Sequence, residues 1–297
     1  MTRKIIIAVI VLVDASLAFG QTGQAQPPKP DQPKATGEAQ AVTFETTDGV
    51  KIAADYYAPA TTADKKPPKA EKAPVAILVH MFPADRTSWE PLVPKLTDAG
   101  FAVLAYDIRG KGGSTEPVDK NLAKRYQEQS PDLFKDAWKD AEAAKKWLAG
   151  QPNCDVGRIV MVGASIGCSI SLDYASRDEA VKAVVCLSPG TNYFGVDSIA
   201  HIEKCGKRAI LLMSPTPEYA EVEKLVQASG GTAVGLKYHQ RPAPEADARA
   251  QHGTNMFAAH YGEAVKDKIV KFVKKAVTPA AEKKDGHDEA GRKADVR

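Results

Sequence analysis

A serine flanked by glycines occupies the segment Gly163-Ala164-Ser165-Ile166-Gly167. The apolar run RIVMVG before it is typical of a buried strand, and the residues after it are typical of a helix. Glycines on both sides of Ser165 allow a sharp reversal from strand to helix, which exposes the serine hydroxyl above the edge of a sheet. The alternative is a tight turn that contains serine without catalytic use, but this strand and helix context favours a nucleophile for acyl transfer.

A serine hydroxyl needs a base within reach before it can attack, and the chain has six histidines. His252, in the loop AQHGTNMF, follows the last predicted strand and precedes the last predicted helix. Because such a loop lies at the same sheet edge as the serine turn, we predict that His252 accepts the proton of Ser165. The alternative is a surface histidine without a catalytic role.

A carboxylate is expected beside this histidine, because it holds the imidazole in the tautomer that takes the serine proton. The turn after the predicted strand RAILLMS has Glu218 as its only acid, and we predict this role for Glu218. Asp197, in the loop after the preceding strand, is the second candidate, and a site without any acid is the third possibility. Glu218 also fits a helix start, where a negative charge is favourable without catalysis.

The segments around the serine turn predict an oxyanion hole and a shallow pocket. The backbone N–H groups of Phe82, in LVHMFPADRTSW, and of Ile166 are expected to bind the developing oxyanion. The segment SPGTNYFGVDSIAHIEKCGK is too short for a large helical cap, so Met81, Tyr193 and Phe194 are expected to border the pocket. Small or extended acyl groups then fit better than long lipids, and ordinary loop packing of these side chains is the alternative.

Strands and helices alternate along the rest of the chain. A hairpin is predicted around the Asp48-Gly49 turn, which implies an antiparallel start to the sheet. Continuous apolar strands separated by amphipathic helices predict a mostly parallel sheet with helices on both faces. The other predicted strands are 74–80, 101–110, 158–163, 181–189, 208–214 and 233–239, and the predicted helices are 87–100, 130–150, the segment after Ser165, 218–231 and 255–277.

Four motifs together carry a family resemblance: the elbow around Ser165, the loop from His80 to Trp89, the turn Asp107-x-Arg109-Gly110-x-Gly112-x-Ser114, and His252-Gly253. From about Ala41 to Val277 the sequence resembles α/β-hydrolases of the dienelactone-hydrolase and esterase-like kind. This resemblance implies an α/β-hydrolase fold with an eight-stranded sheet, acyl transfer through Ser165 with His252 as proton relay, and no cofactor.

Three positions depart from the pattern of that family. Met81 follows His80 where the family usually has glycine, and Lys111 replaces the commoner histidine of the Arg-Gly-His-Gly turn. The turn Ser214-Pro215-Thr216-Pro217-Glu218 lacks the Asp that related proteins tend to have there, and its acid comes one residue later than the pattern expects. The third departure leaves open whether the histidine has an orienting carboxylate.

The composition predicts one large globular domain. The chain of 297 residues is 43% hydrophobic and 26% charged, which is sufficient for a substantial core. Its 40 basic and 37 acidic residues give a net charge of +3 without a basic block interleaved with aromatic residues, so nucleic acid is not expected as a partner. Cys154, Cys168, Cys186 and Cys205 lack metal-binding spacing, and Cys168 and Cys186 are expected to be small core residues.

The first residues predict a secretory signal peptide over 1–20, with cleavage there or after Ala25. Asp14 ends the apolar run well short of the roughly 20 residues that a membrane-spanning helix needs, so no stable membrane anchor is expected after cleavage. Residues 21–40 predict a flexible Pro-rich leader, and 278–297 predict a disordered charged tail around a domain at 41–277. The expected location is the periplasm or the medium.

Two functions from different classes remain open at this point. The first is an exported serine hydrolase that cleaves carboxylic esters of small molecules through an acyl-serine intermediate, with peptides or thioesters as further possible substrates. The second is a catalytically weakened protein of the same fold that binds a ligand or a partner, which the missing Asp suggests. The sequence does not indicate the natural substrate or the oligomeric state.

Overall fold

A computed structural model describes residues 37–60, 72–239 and 251–278. The predicted signal peptide lies outside these residues, as do most of the predicted leader and all but the first residue of the predicted tail. Within the same three ranges, no helix has the length and apolar character that crossing a membrane requires.

A mostly parallel sheet forms the centre of the fold. Its strands, together with a separate small hairpin, are β1 (Gln40–Glu45), β2 (Lys51–Tyr57), β3 (Ala73–Val79), β4 (Ala102–Tyr106), β5 (Cys154–Ala164), β6 (Val181–Leu187), β7 (Asn192–Tyr193), β8 (Val196–Asp197), β9 (Ala209–Pro215) and β10 (Ala233–Tyr238). Eight of them are ordered β1-β2-β4-β3-β5-β6-β9-β10, and β7 pairs only with β8. Strand β2 is antiparallel to β1 and β4, whereas the other neighbours in the sheet are parallel. The predicted architecture is therefore confirmed.

Helices cover both faces of this sheet. They are α1 (Val93–Asp98), α2 (Leu122–Gln127), α3 (Pro131–Lys135), α4 (Trp138–Ala149), α5 (Ile166–Arg177), α6 (Ser198–Lys204), α7 (Tyr219–Ala228) and α8 (Gly262–Val277). Helices α1 and α8 pack on one face, through Leu96 and Ile269 among others, while α4, α5 and α7 pack on the other. Because both faces are covered, every residue of β4 is buried. The four cysteines are buried free thiols, as expected for Cys168 and Cys186.

Three of the predicted helices are divided or shortened in the structure, because each contains a turn that interrupts the α-helix. The region 130–150 forms α3 and α4, because bonds between residues three apart, such as Ala137 N–H to Phe134 O, interrupt the helical ladder. The last helix begins only at Gly262, after a 3₁₀ segment at Gly253–Ala258. Similarly, 87–100 divides into a 3₁₀ turn and α1. The sequence patterns did not predict α2, α6 or the β7–β8 hairpin.

Arg109 belongs to a buried ionic network that ties the first hairpin to the rest of the fold. Its guanidinium is 3% exposed, and its Nε donates to Asp140 Oδ1 at 2.8 Å while Nη1 donates to Asp48 Oδ2 at 2.8 Å. Burial raises the pKa of Asp140, and the Arg109 charge opposes that rise. Asp48 lies in the turn between β1 and β2, so Arg109 joins that turn to α4. The motif around Arg109 thus has a structural function.

Candidate active site

The turn at Ser165 is strained, and close backbone packing holds it. Ser165 has φ 50° and ψ −120°, a conformation that residues other than glycine rarely adopt and that costs about 1–3 kcal/mol. A Cβ on Gly163 would lie 2.3 Å from Gly167 O, and a Cβ on Gly167 would lie 2.1 Å from Val79 O. Both positions therefore require glycine, because helix α5 begins directly against β3 and β5. The Ser165 N–H donates to Leu187 O at 2.9 Å, which fixes the turn to β6.

The two backbone groups predicted to bind an oxyanion are available to do so. Among the described residues, the N–H groups of Phe82 and Ile166 have no hydrogen-bond acceptor in the protein. Ile166 is the first residue of α5, so its N–H also lies at the positive end of the helix dipole. Ser165 itself is 7% exposed, so only a small part of the residue is accessible to solvent.

A buried neutral histidine shapes the loop that contains Phe82. The Nδ1 of His80 bonds to the Met81 carbonyl at 2.8 Å, and its Nε2 accepts from the Ile108 N–H at 3.0 Å. Since a carbonyl can only accept, Nδ1 has the proton. Burial lowers the pKa of His80 to about 4, although the Met81 carbonyl and Asp107 act in the opposite direction. This ring joins the Phe82 loop to the end of β4, and its role is structural.

His252 lies next to the serine turn because its loop packs against that turn. The following residue, Gly253, has φ 58°, and a Cβ there would lie 2.5 Å from Met81 Sδ and 3.4 Å from Ala164 Cβ. The Gly253 N–H donates to Ser188 Oγ at 3.0 Å. Ser188 directly follows Leu187, whose carbonyl accepts the Ser165 N–H. These contacts fix the backbone of the histidine loop beside the elbow.

The imidazole of His252 is oriented by Glu218. Nδ1 of His252 lies 2.8 Å from Glu218 Oε1, although 34 residues separate the two in the chain. With Nδ1 engaged by a carboxylate, Nε2 is the nitrogen that can take a proton. No direct bond joins the Ser165 hydroxyl to this ring within the described ranges. Bonds of this type often tighten only when substrate binds.

The two candidate acids, Glu218 and Asp197, differ in what their carboxylates contact. Glu218 precedes α7 at the helix cap position, but its side chain makes no capping bond and instead contacts His252. Asp197 caps α6 through the N–H of Ala200 at 3.1 Å, so it has a local structural task. Of these two acids, Glu218 is therefore the one that contacts the imidazole of His252. Glu245 and Asp247, near His252 in sequence, lie outside the described residues.

Aromatic side chains form one wall beside the serine turn. Phe194 packs edge-on against Phe82 with ring centres 5.6 Å apart, and both are half-buried. Behind them lie Tyr126 and Phe134, which are fully buried. The sequence patterns did not indicate Tyr126. Tyr126 belongs to the short helix α2, whose six residues give too little periodicity to detect. The buried Met81 packs against Gly253, so it supports the histidine loop.

Comparison with known proteins agrees with this geometry. A family described as having the alpha/beta hydrolase fold matches residues 74–205, which include the elbow and the Phe82 loop. The chain has the α/β-hydrolase fold. It is similar in structure to a dienelactone hydrolase from Anabaena variabilis, with 16% identity, a TM-score of 0.60, and coverage of 81% of this chain and 99% of that one.

Two further proteins are similar to this chain. An esterase of Pyrococcus furiosus has 15% identity and a TM-score of 0.59, over 81% of this chain and 92% of its own. An uncharacterized protein of Mycobacterium tuberculosis strain H37Rv is 28% identical over 185 residues, which are 62% of this chain. That match spans 56% of the length of the mycobacterial protein. At such identities the likeness to the solved structures shows the fold.

The contact between Glu218 and His252 predicts a large effect of removing one charge. Glu218→Gln keeps the size and a hydrogen-bonding group but loses the charge that stabilises the imidazolium, so kcat for ester hydrolysis should fall up to about 10⁴-fold. Asp197→Asn is the matched control, and its kcat should stay near that of the wild type. Steady-state kinetics of both variants test this assignment, and a normal kcat for Glu218→Gln would remove Glu218 from the site.

The buried His80 predicts a loss of stability in acid. Its pKa is about 4 in the folded chain and its ordinary value is 6.5, so between these pH values the unfolded chain binds a proton that the folded chain does not. Stability should therefore decrease as pH falls through this window, by about 3 kcal/mol from this group. Urea unfolding at several pH values should show a smaller decrease for His80→Gln, while the exposed His260→Gln behaves as the wild type. Equal pH dependence of all three proteins contradicts this role.

Proposed function

We propose that this hydrolase cleaves carboxylic esters through an acyl-serine intermediate on Ser165. The observation that carries the proposal is the 2.8 Å contact between His252 Nδ1 and Glu218, on a loop that packs against the strained elbow. A nucleophile, a base and an orienting acid from three separate parts of the chain then meet at one edge of the sheet.

Acylation begins when His252 Nε2 takes the proton from the Ser165 hydroxyl. The serine oxygen forms a bond to the ester carbonyl carbon, and the carbonyl electron pair moves to its oxygen. The N–H groups of Phe82 and Ile166, which have no other acceptor in the described chain, bind this oxyanion. When the carbonyl re-forms, the bond to the leaving alcohol breaks and the alcohol receives the proton from Nε2.

Deacylation repeats these steps with water in place of serine. His252 takes a proton from water, the hydroxyl attacks the acyl carbon, and the Ser165 oxygen leaves and regains its proton. During both steps the imidazolium is transiently charged, and the negative charge of Glu218 stabilises it. The same order of bond formation and cleavage applies to amides and thioesters. The mechanism therefore specifies acyl transfer and does not specify the leaving group.

The surroundings of Ser165 favour small or extended acyl groups. The segment between β6 and α6 contributes only the short hairpin β7–β8, and the neighbouring wall consists of the aromatic residues Phe82 and Phe194. An apolar wall without a deep cap favours compact neutral esters over long lipid chains.

Selective labelling of Ser165 tests the mechanism directly. A fluorophosphonate probe should label the wild type stoichiometrically, and Ser165→Ala should abolish both labelling and p-nitrophenyl acetate hydrolysis while changing stability by less than about 1 kcal/mol. Ser214→Ala is the matched control, since the Ser214 hydroxyl is buried and has no hydrogen-bond partner among the described residues. This control should be labelled as the wild type is. A wild type that takes up no probe refutes the serine mechanism.

We also infer that the protein is exported, from the basic start and apolar run of residues 1–20. The protein recovered outside the cytoplasm should begin at Gln21 or Gln26, as read by N-terminal sequencing. Ile7→Glu places a charge in the apolar run and should leave the chain uncleaved inside the cell. Recovery of the wild type with an intact Met1 would contradict export by cleavage.

A further inference from the structure

Tyr193 is held over a glycine next to the serine turn. It lies in β7, and its ring covers Gly190 so closely that a Cβ on that glycine would be 2.7 Å from ring atoms. The hairpin that presents it turns through Phe194 at φ 51° and Gly195 at φ 82°. The hydroxyl of Tyr193 donates to Ser188 O at 3.4 Å. Packing against Gly190 therefore fixes the ring, while the hydroxyl makes one long hydrogen bond.

Ser188 connects this hydroxyl to the elbow. The residue before it, Leu187, accepts the Ser165 N–H at 2.9 Å, and the Ser188 N–H donates to Met213 O at 2.7 Å. Ser188 Oγ also accepts the N–H of Gly253, beside the catalytic histidine. The Tyr193 phenol thus binds the backbone at the point where the elbow and the histidine loop meet. The Tyr193 hydroxyl and the Ser165 backbone are therefore bound to adjacent residues at the end of β6, Ser188 and Leu187.

The phenol keeps its proton at neutral pH and can therefore donate a hydrogen bond. Burial raises the pKa of Tyr193, as does the charge of Glu218, whereas Ser165 opposes the rise. A hydroxyl of this kind keeps its proton and cannot serve as a base. Its bond to Ser188 O, at 3.4 Å, is well beyond the usual 2.7–2.8 Å for hydroxyl donors, so the proton is weakly engaged and free to turn toward an anion.

The same hairpin also borders the oxyanion side of the site. Phe194 packs edge-on against Phe82, whose N–H is one of the two backbone donors in the proposed mechanism. Phe194 is in turn packed on the buried Phe134, with ring centres 4.8 Å apart. The hairpin and the Phe82 loop are therefore fixed relative to each other, which preorganises groups that belong to both.

We propose that the hydroxyl of Tyr193 is a third hydrogen-bond donor to the oxyanion formed at Ser165. This inference rests on the acyl-serine mechanism proposed above. On attack, the phenolic O–H exchanges its long bond to Ser188 O for a shorter one to the negatively charged oxygen, and it returns when the carbonyl re-forms. Because this exchange occurs only when charge develops, the donor stabilises the transition state more than the bound ester.

Tyr193→Phe removes the donor and keeps the ring. For p-nitrophenyl acetate, kcat should fall about 10- to 100-fold with KM changed less than about 2-fold, because the lost interaction forms only in the transition state. The inhibition constant of a trifluoromethyl ketone, which forms a tetrahedral adduct with serine, should rise by the same factor as kcat/KM falls. A purely structural role for the phenol would not link these two changes.

Tyr126→Phe is the matched control for this experiment. Tyr126 is fully buried behind Phe82, and its hydroxyl has no hydrogen-bond partner in the part of the chain that is described. Its removal should leave kcat, KM and ketone inhibition unchanged. Thermal melting of both variants should match the wild type, since each loses one oxygen that is weakly bonded or unbonded.

The outcomes separate this inference from the mechanism on which it rests. If the wild type is labelled by fluorophosphonate and Tyr193→Phe has normal kcat and normal ketone inhibition, only the role of Tyr193 is refuted. A rise in KM without a change in kcat also refutes it, because the phenol would then bind the substrate in its ground state. Equal losses in Tyr193→Phe and Tyr126→Phe would assign the effect to aromatic packing. Absence of labelling in the wild type overturns both proposals.

Discussion

The close approach of helix α5 to the backbone of β3 is the constraint on which the site depends. There is no room for a side chain at Gly163 or Gly167, and this closeness forces Ser165 into its strained conformation. The strain is tolerated because the surrounding strands over-determine the turn. It lifts the hydroxyl above the sheet and presents the first N–H of the helix beside it. If α5 were farther away, neither group would be in position.

The histidine and its acid depend on the same edge of the sheet but on different strands. Glu218 follows β9, while the loop of His252 lies between β10 and α8 and is held against the elbow through Ser188 and Gly253. From the end of β9, the Glu218 side chain reaches His252 Nδ1 at 2.8 Å, so the contact joins two loops that leave neighbouring strands.

The fold could be predicted from the sequence where the residue types of a segment directly reflect its burial or its backbone geometry. Strands such as β3 and β4 are apolar throughout because helices cover both faces, and the glycines around Ser165 are required by backbone distance, so both could be predicted. Helix α2 and the hairpin β7–β8 are too short for periodicity to be detected. Glu218 was one of several candidates, because its partner is 34 residues away and only the fold brings the two together.

Contacts that depend on several elements at once were not accessible from the sequence. The position of the Tyr193 phenol requires the ring to cover Gly190 and the hydroxyl to reach Ser188, and no local pattern encodes either distance. The burial of Tyr126 behind Phe82 is similar, since it joins α2 to the loop after β3. The first contact is local in the chain but depends on the exact backbone path of the turn after β6, and the second joins segments that are far apart in the chain.

Among the described strands, β7 and β8 pair only with each other, although the hairpin lies near Ser165. Its two strands contribute no hydrogen bonds to the eight-stranded sheet, so their length and side chains can change without altering the register of any central strand. The hairpin can therefore differ in length while the central strands keep their pairing, provided that Tyr193 and Phe194 stay in place.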